Sequence, residues 1–271
     1  MKRLLMNVVV GLMLASLVLT ACGSKATPTP TSAPVPTATP VPTAVPMIKA
    51  IVAMDATWPP FESIDEATKD IVGFDVDLMK AIAEKGGFEV EFVNVSWDPL
   101  LAGMAQCQYD AAISAMTITE ERKKSFMFSE PYFSAGQIVT VGVDNADIKS
   151  KDDLVGKTVG AQLGTTGAIE TEKMSGVTLK TYDDIGLAFQ DLINNQIDAV
   201  VADNPLALGY VGENPDKLKV VGEAFTDEFY GIAVCKDKAD LLAKINAGLA
   251  AVKAEGVIDE LVTKWISGSG Q

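Results

Sequence analysis

Histidine is missing from the sequence, cysteine occurs three times, and basic residues are a minority, 22 against 36 acidic. Each shortage closes a class of chemistry. Without histidine there is no Ser-His-Asp or Cys-His nucleophile and no histidine-ligated zinc. An enzyme here would have to work with carboxylates, lysine, tyrosine or a Ser-Lys pair. A net charge of −14 argues against a nucleic-acid partner, because a phosphate-binding surface needs clustered Lys and Arg. No cofactor and no metal site is expected. What is present is apolar residue enough, 48%, to bury the core of one large domain or two small ones.

The one long apolar run is at the start. Lys2 and Arg3 precede Leu4–Leu19, a run broken only by Asn7, Gly11 and Ser16, and Leu19-Thr20-Ala21-Cys22 follows. A basic start, an apolar stretch and small residues at a cut describe a secretory signal over residues 1–21, too short and wrongly flanked for a stable membrane span. Leu-x-Ala-Cys resembles the bacterial lipobox, so Cys22 is expected to carry the lipid that tethers the chain to the outer face of a membrane. An ordinary signal with an incidental Cys22 is the alternative. Removing Lys2 and Arg3 leaves 20 basic residues against 36 acidic. Residues 24–46 hold seven prolines and a single charge, Lys25. They cannot bury a core and favour polyproline II, which would reach roughly 70 Å at full extension. A semi-rigid stalk over 22–46 is expected. Cys107 and Cys235 remain; a disulfide is open to an exported chain, but the reading favoured here is two buried free thiols.

From Ile48 strands and helices alternate, which predicts parallel sheets covered on both faces. Ile48–Met54 reads as a strand. Asp75–Lys85 places Val76, Met79, Ile82 and Ala83 at helical spacing, stopped by Gly86-Gly87. Phe88–Val95 alternates as a strand. Asp98-Pro99 opens a helix over Leu100–Gln106 with Asp98 as its cap, and a strand over Tyr109–Ala115 follows. The stretch Leu100–Ala115 has an echo 88 residues on, Ala188–Asp203: each is a helix, a Gln, one residue, Asp-Ala and a buried strand. Two related lobes would each offer strand ends to a shared cleft, since ligands bind beyond the carboxyl ends of parallel strands. Those ends are Ser114-Ala115-Met116-Thr117 and Ala202-Asp203-Asn204.

Seven motifs then recur in one order: Asp55-Ala56-Thr57-Trp58-Pro59-Pro60-Phe61-Glu62; Gly73-Phe74-Asp75-Val76-Asp77-Leu78; Ser114-Ala115-Met116-Thr117-Ile118-Thr119-Glu120-Glu121-Arg122-Lys123; Phe128-Ser129-Glu130-Pro131-Tyr132; Gly164-Thr165-Thr166-Gly167; Asp198 to Asp203; and Gly256 to Trp265. With them residues 48–267 resemble the polar amino-acid-binding proteins of ABC importers, the family 3 solute-binding proteins. The resemblance implies a two-lobed type II periplasmic-binding-protein fold, α/β, with two crossover strands near Ala135–Val139 and Glu228–Ile232. It implies a first lobe of 47–135 and 229–271, a second of 136–228, and hinge closure over the ligand. It also implies a monomer that takes a free L-amino acid to the membrane subunits of a permease.

The resemblance carries roles residue by residue. Arg122 matches the arginine that clamps the ligand carboxylate, as a planar guanidinium can and lysine cannot; a surface charge in an Arg-Lys-Lys run is the alternative. Thr117 adds a hydroxyl and an N–H. Ser114 and Ala115 line the strand end, Ala115 standing where relatives often have Gly or Ser. Thr165 and Thr166, at a strand-to-helix turn that can present N–H groups to an anion, serve the carboxylate from the far lobe. They precede a helix expected from Ala168. Asp203 matches the ammonium-binding aspartate, or alternatively caps the helix at Asn204-Pro205. Trp58 and Trp97 match aromatics that sandwich the ligand side chain. Gln162 lines the side-chain pocket, and Asp55 matches a position that meets the side-chain end in glutamine- and lysine-type relatives. Glutamine, arginine or lysine is the expected ligand. A dehydratase on the same fold, which would need a cleft acid poised as a proton donor, and a sensor domain are the alternatives.

Overall fold

The structure is a computed structural model describing residues 47–267; the leader, Cys22 and the stalk lie outside the described residues. Lys49–Met54 forms β1, whose Ala50, Val52, Ala53 and Met54 are buried between parallel neighbours. A small antiparallel sheet follows, made of β2 (Thr57–Trp58), β3 (Glu62–Ile64) and β4 (Ile71–Val72). Helix α1 (Phe74–Gly86) buries Phe74, Val76, Leu78, Met79 and Ile82, and stops at Gly87 in the left-handed region. Next come β5 (Glu89–Asn94), α2 (Trp97–Ala105), β6 (Ala111–Ala112), α3 (Glu120–Lys123) and β7 (Met127–Phe128). The chain leaves through β8 (Phe133–Ala135) for β9 (Gln137–Gly142), β10 (Thr158–Gln162), α4 (Thr166–Glu172), β11 (Thr178–Tyr182), α5 (Ile185–Ile193), β12 (Ala199–Asp203), α6 (Asn204–Glu213) and β13 (Leu218–Val221). It returns through β14 (Glu228–Tyr230) to β15 (Ala233–Val234) and α7 (Ala239–Ala254).

Two five-stranded sheets result, ordered β5-β1-β6-β15-β7 and β11-β10-β12-β9-β13. The orders correspond place for place. The helix–strand pair α2–β6 occupies in the first sheet the position of α5–β12 in the second, so the echo in the sequence is a structural repeat. The two sheets form the two-lobed type II architecture, with β8 and β14 paired antiparallel in the ribbon between them. In the first lobe α7 returns to lie on α1. A Cβ at Gly248 would sit 2.2 Å from the Ile82 carbonyl oxygen, so glycine sets how closely the two helices approach.

Five expectations are corrected. The sheets are mixed rather than parallel, because β9 and β15, each following a crossing, enter antiparallel to β12 and β6. The strand expected over Tyr109–Ala115 is regular only at Ala111–Ala112, since its backbone bends at Ser114 and Ala115 has φ 42°. Ser96, not Asp98, precedes α2, and α4 starts two residues before Ala168. Cys107 and Cys235 form a disulfide, not free thiols. The reason is topological: β15 pairs with β6, Val234 opposite Ala111. Cys235, whose N–H bonds the Asp110 carbonyl, is thereby brought beside the turn that ends α2. Among the described residues, the grouping of Cys107, Cys235 and Asp237 has metal-ligand spacing, but its sulfurs are bonded to each other.

Candidate functional site

Strand ends from both lobes meet over one small cavity, about 210 Å³ of space between atoms with its mouth included. Every predicted site residue lines it except Asp55 and Gln162, which lie just behind Trp58. A larger groove, about 1080 Å³, lies on the second lobe near Thr158 and Asp198, where β10 and β12 begin. It faces away from the strand ends, and none of its acids is buried.

One end of the cavity is cationic. Thr119 caps α3 by accepting the Arg122 N–H at 3.1 Å, and this short helix divides its basic run. Lys123 and Lys124 pair outward with Glu120 and Glu121. Arg122 turns inward, donating to the carbonyls of Thr117 at 2.7 Å and Gly164 at 3.2 Å, and so bridges the lobes. Its guanidinium lies 5.0 Å from the centre of the Trp97 ring. Burial draws its pKa down to about 10, against the pull of Asp203 and Glu228. Three of its five N–H groups remain beyond those two bonds. Trp58 and Trp97 stand with ring centres 6.4 Å apart, and the buried Trp97 Nε1 meets no acceptor among the described residues.

The other end is anionic. Asp203 begins α6 without capping it. Its oxygens accept instead from Gln137 Nε2 and from the Tyr230 hydroxyl, each at 2.5 Å. Burial, then repulsion from Glu228, pushes its carboxyl up to about 7. Glu228 accepts from the hydroxyls of Thr117 at 2.7 Å and Thr166 at 2.8 Å, one from each lobe, and from Gln137 at 3.1 Å. A Cβ at Gly167 would lie 2.8 Å from both Gln137 Oε1 and the Val201 carbonyl, so α4 can approach this network only as glycine.

Gln137, Glu228 and Tyr230 are the residues the sequence reading missed. They lie at the crossings, which were read as connections; the available signal was polar side chains inside otherwise apolar crossing strands. Thr165 lines the cavity with its side chain already engaged. Its hydroxyl caps α4 and donates to the Gln162 carbonyl, which also accepts its N–H. Behind the tryptophans, Gln162 Oε1 accepts from Trp58 Nε1 at 2.6 Å and its Nε2 donates to Asp55 at 3.0 Å. Asp55, raised in pKa chiefly by burial, is therefore held from the opposite lobe.

Residues 50–268 match the family described as bacterial extracellular solute-binding proteins, family 3. Two relatives from Escherichia coli are the L-cystine-binding protein TcyJ, 36% identical over 79% of this chain and 81% of its own, and ABC transporter arginine-binding protein 1, 38% identical over 78% and 88%. Among solved structures, an ancestral arginine-binding protein bound to arginine superposes with a TM-score of 0.76 at 46% identity, covering 80% of this chain and 97% of that one. These relatives are amino-acid-binding proteins rather than enzymes, and the chain stands with them as a non-enzyme. With the family match spanning most of its length, the chain belongs to the bacterial extracellular solute-binding proteins, family 3.

Proposed function

We propose that this protein captures a free basic or polar L-amino acid, arginine foremost with lysine and glutamine next, and delivers it to the permease of an ABC importer. One observation carries the reading: the Arg122 guanidinium and the Asp203 carboxylate line a single buried cavity with two tryptophans between the lobes. That is the charge pattern a zwitterion requires, a donor fork for its carboxylate and an acid for its ammonium. Thr117, Thr166, Ser114 and the Ala115 backbone complete the walls, while Gln162 and Asp55 back the side-chain end from behind Trp58. The buried acid Asp55 favours a cationic side chain, in keeping with the arginine-binding relatives. Residues 47–135 with 229–271, and 136–228, close as rigid lobes about β8 and β14. A lipid on Cys22 tethers the monomer, as its Leu-x-Ala-Cys sequence suggests.

A thermal-shift panel of the twenty amino acids tests this. A ligand at a hundred times its Kd stabilises by about 2.7 kcal/mol through mass action. The largest shift is expected with L-arginine, and no shift with any of the twenty would refute capture of an amino acid.

A further inference from the structure

Behind the cleft, in the first lobe, two acids with no role in gripping a ligand are fully buried: Glu62 on β3 and Asp75 in the first turn of α1. The backbone forces them together. The N–H groups of Phe74 and Asp75 bond the carbonyls of Pro60 and Phe61, both at 3.0 Å. Gly73, at φ 142°, passes so close that a Cβ would lie 2.1 Å from the Phe61 oxygen.

Each carboxyl spends one oxygen on the cleft. Glu62 Oε1 accepts from the Ser114 hydroxyl at 2.7 Å, whose oxygen accepts the Asp55 N–H at 3.0 Å. Asp75 Oδ2 accepts the Ala115 N–H at 2.7 Å and the Tyr132 hydroxyl at 2.8 Å. The other oxygens, Glu62 Oε2 and Asp75 Oδ1, are buried and meet no donor among the described residues, and the two carboxyls, held on segments joined by those backbone bonds, act on one another's titration. Two ionised carboxylates could not stay so placed, because burial and like charge both oppose it. One hydrogen between the two orphaned oxygens satisfies both and removes one charge.

We propose that Glu62 and Asp75 share one buried proton and act together as positioning residues that hold the Ser114–Ala115 turn and the end of β1 toward the cleft. Ala115 is a non-glycine residue at φ 42°, a conformation that persists only where the surroundings impose it. The bond from its N–H to Asp75 imposes it. The groups facing the pair are Asp55 just beyond β1, Ser114 and Ala115 from the turn, and Tyr132; the Tyr230 ring lies tilted against Tyr132, centres 6.1 Å apart. No cation figures among them. Burial foremost lifts both carboxyls, Asp75 to about 7 and Glu62 well above its ordinary value, with Asp75 adding repulsion on Glu62. The pair's folded-state pKa values therefore lie above the unfolded ones, so what the shared proton holds is lost as pH rises through them.

The positioning role rests on the cleft being the amino-acid site; the shared proton does not. Infrared spectra of the ligand-free full chain near neutral pH test the proton. Wild type should show a protonated-carboxyl carbonyl band that loses intensity in both Glu62→Gln and Asp75→Asn; equal intensity in all three would overturn it. Calorimetric titration with L-arginine between about pH 7 and 8.5 tests the positioning. Wild-type affinity should fall by up to about tenfold per pH unit, the limit for one coupled proton. In Glu62→Gln, whose amide carries the bridging hydrogen permanently, it should stay level. An identical decline in the two proteins would overturn the positioning role. If wild type takes up no L-arginine, the proposed function fails while the infrared result still decides the proton.

Discussion

Arg122 and Asp203 carry the binding account at the scale of the residue. Among the described residues the Arg122 guanidinium donates to two carbonyls and lies over a tryptophan face, so Arg122→Ala should remove charge-assisted bonds to the ligand carboxylate worth about 1.5–3 kcal/mol each. A loss of tenfold or more in L-arginine affinity by titration calorimetry is expected, with Arg122→Lys recovering part of it. Asp203, at about 7, holds its proton near neutrality until an ammonium arrives. Its folded-state value is raised, so binding of a cation releases a proton, and affinity should rise as pH climbs from about 5 to 7. Titrations in buffers of different ionisation enthalpy will register that release, and Asp203→Asn should abolish it. Both residues were legible because each follows a buried strand in a recognisable motif. Gln137, Glu228 and Tyr230 were not. Their cleft partners lie 27 to 111 positions away, and the one local signal, a polar side chain in an otherwise apolar crossing strand, does not name those partners.

At the scale of the element, helix α4 can rest on β12 only because Gly167 lacks a side chain. Gly167→Ala should destabilise the fold by about 1–3 kcal/mol, the usual cost of overpacking, and weaken ligand affinity by displacing Thr166. Denaturant melts and titration of the same variant check both. The bounds of β1, α1 and β5 follow from apolar periodicity and glycine stops, and the sequence places them within a residue or two. The strand expected at 109–115 breaks where Ala115 and Ser114 bond Asp75 and Glu62, acids 40 and 52 positions upstream. Local pattern also could not show which sheet β15 joins, and the cysteine pairing hung on that choice.

For the whole molecule, one disulfide closes a segment of 128 positions, tying the return of the chain to its first pass. Replacing Cys107 and Cys235 by serine should cost about 2–5 kcal/mol, read from denaturant melts against the wild type, with the same loss when the wild type is reduced. The two sheets repeat one strand order, and so the repeated helix–strand pair predicted a second lobe correctly. The same symmetry sets Thr117 and Arg122 from one lobe against Thr166 and Asp203 from the other, and Glu228 on the ribbon accepts from both. On the proposed function, closure and grip are one event. The most direct measurement compares L-arginine with agmatine, which has the same side chain and ammonium-bearing end but no carboxylate. Calorimetry on the wild type should show L-arginine binding at least tenfold more tightly, and Arg122→Ala should bring the two together. Equal affinity of the wild type for both would contradict the assignment of Arg122 to the ligand carboxylate.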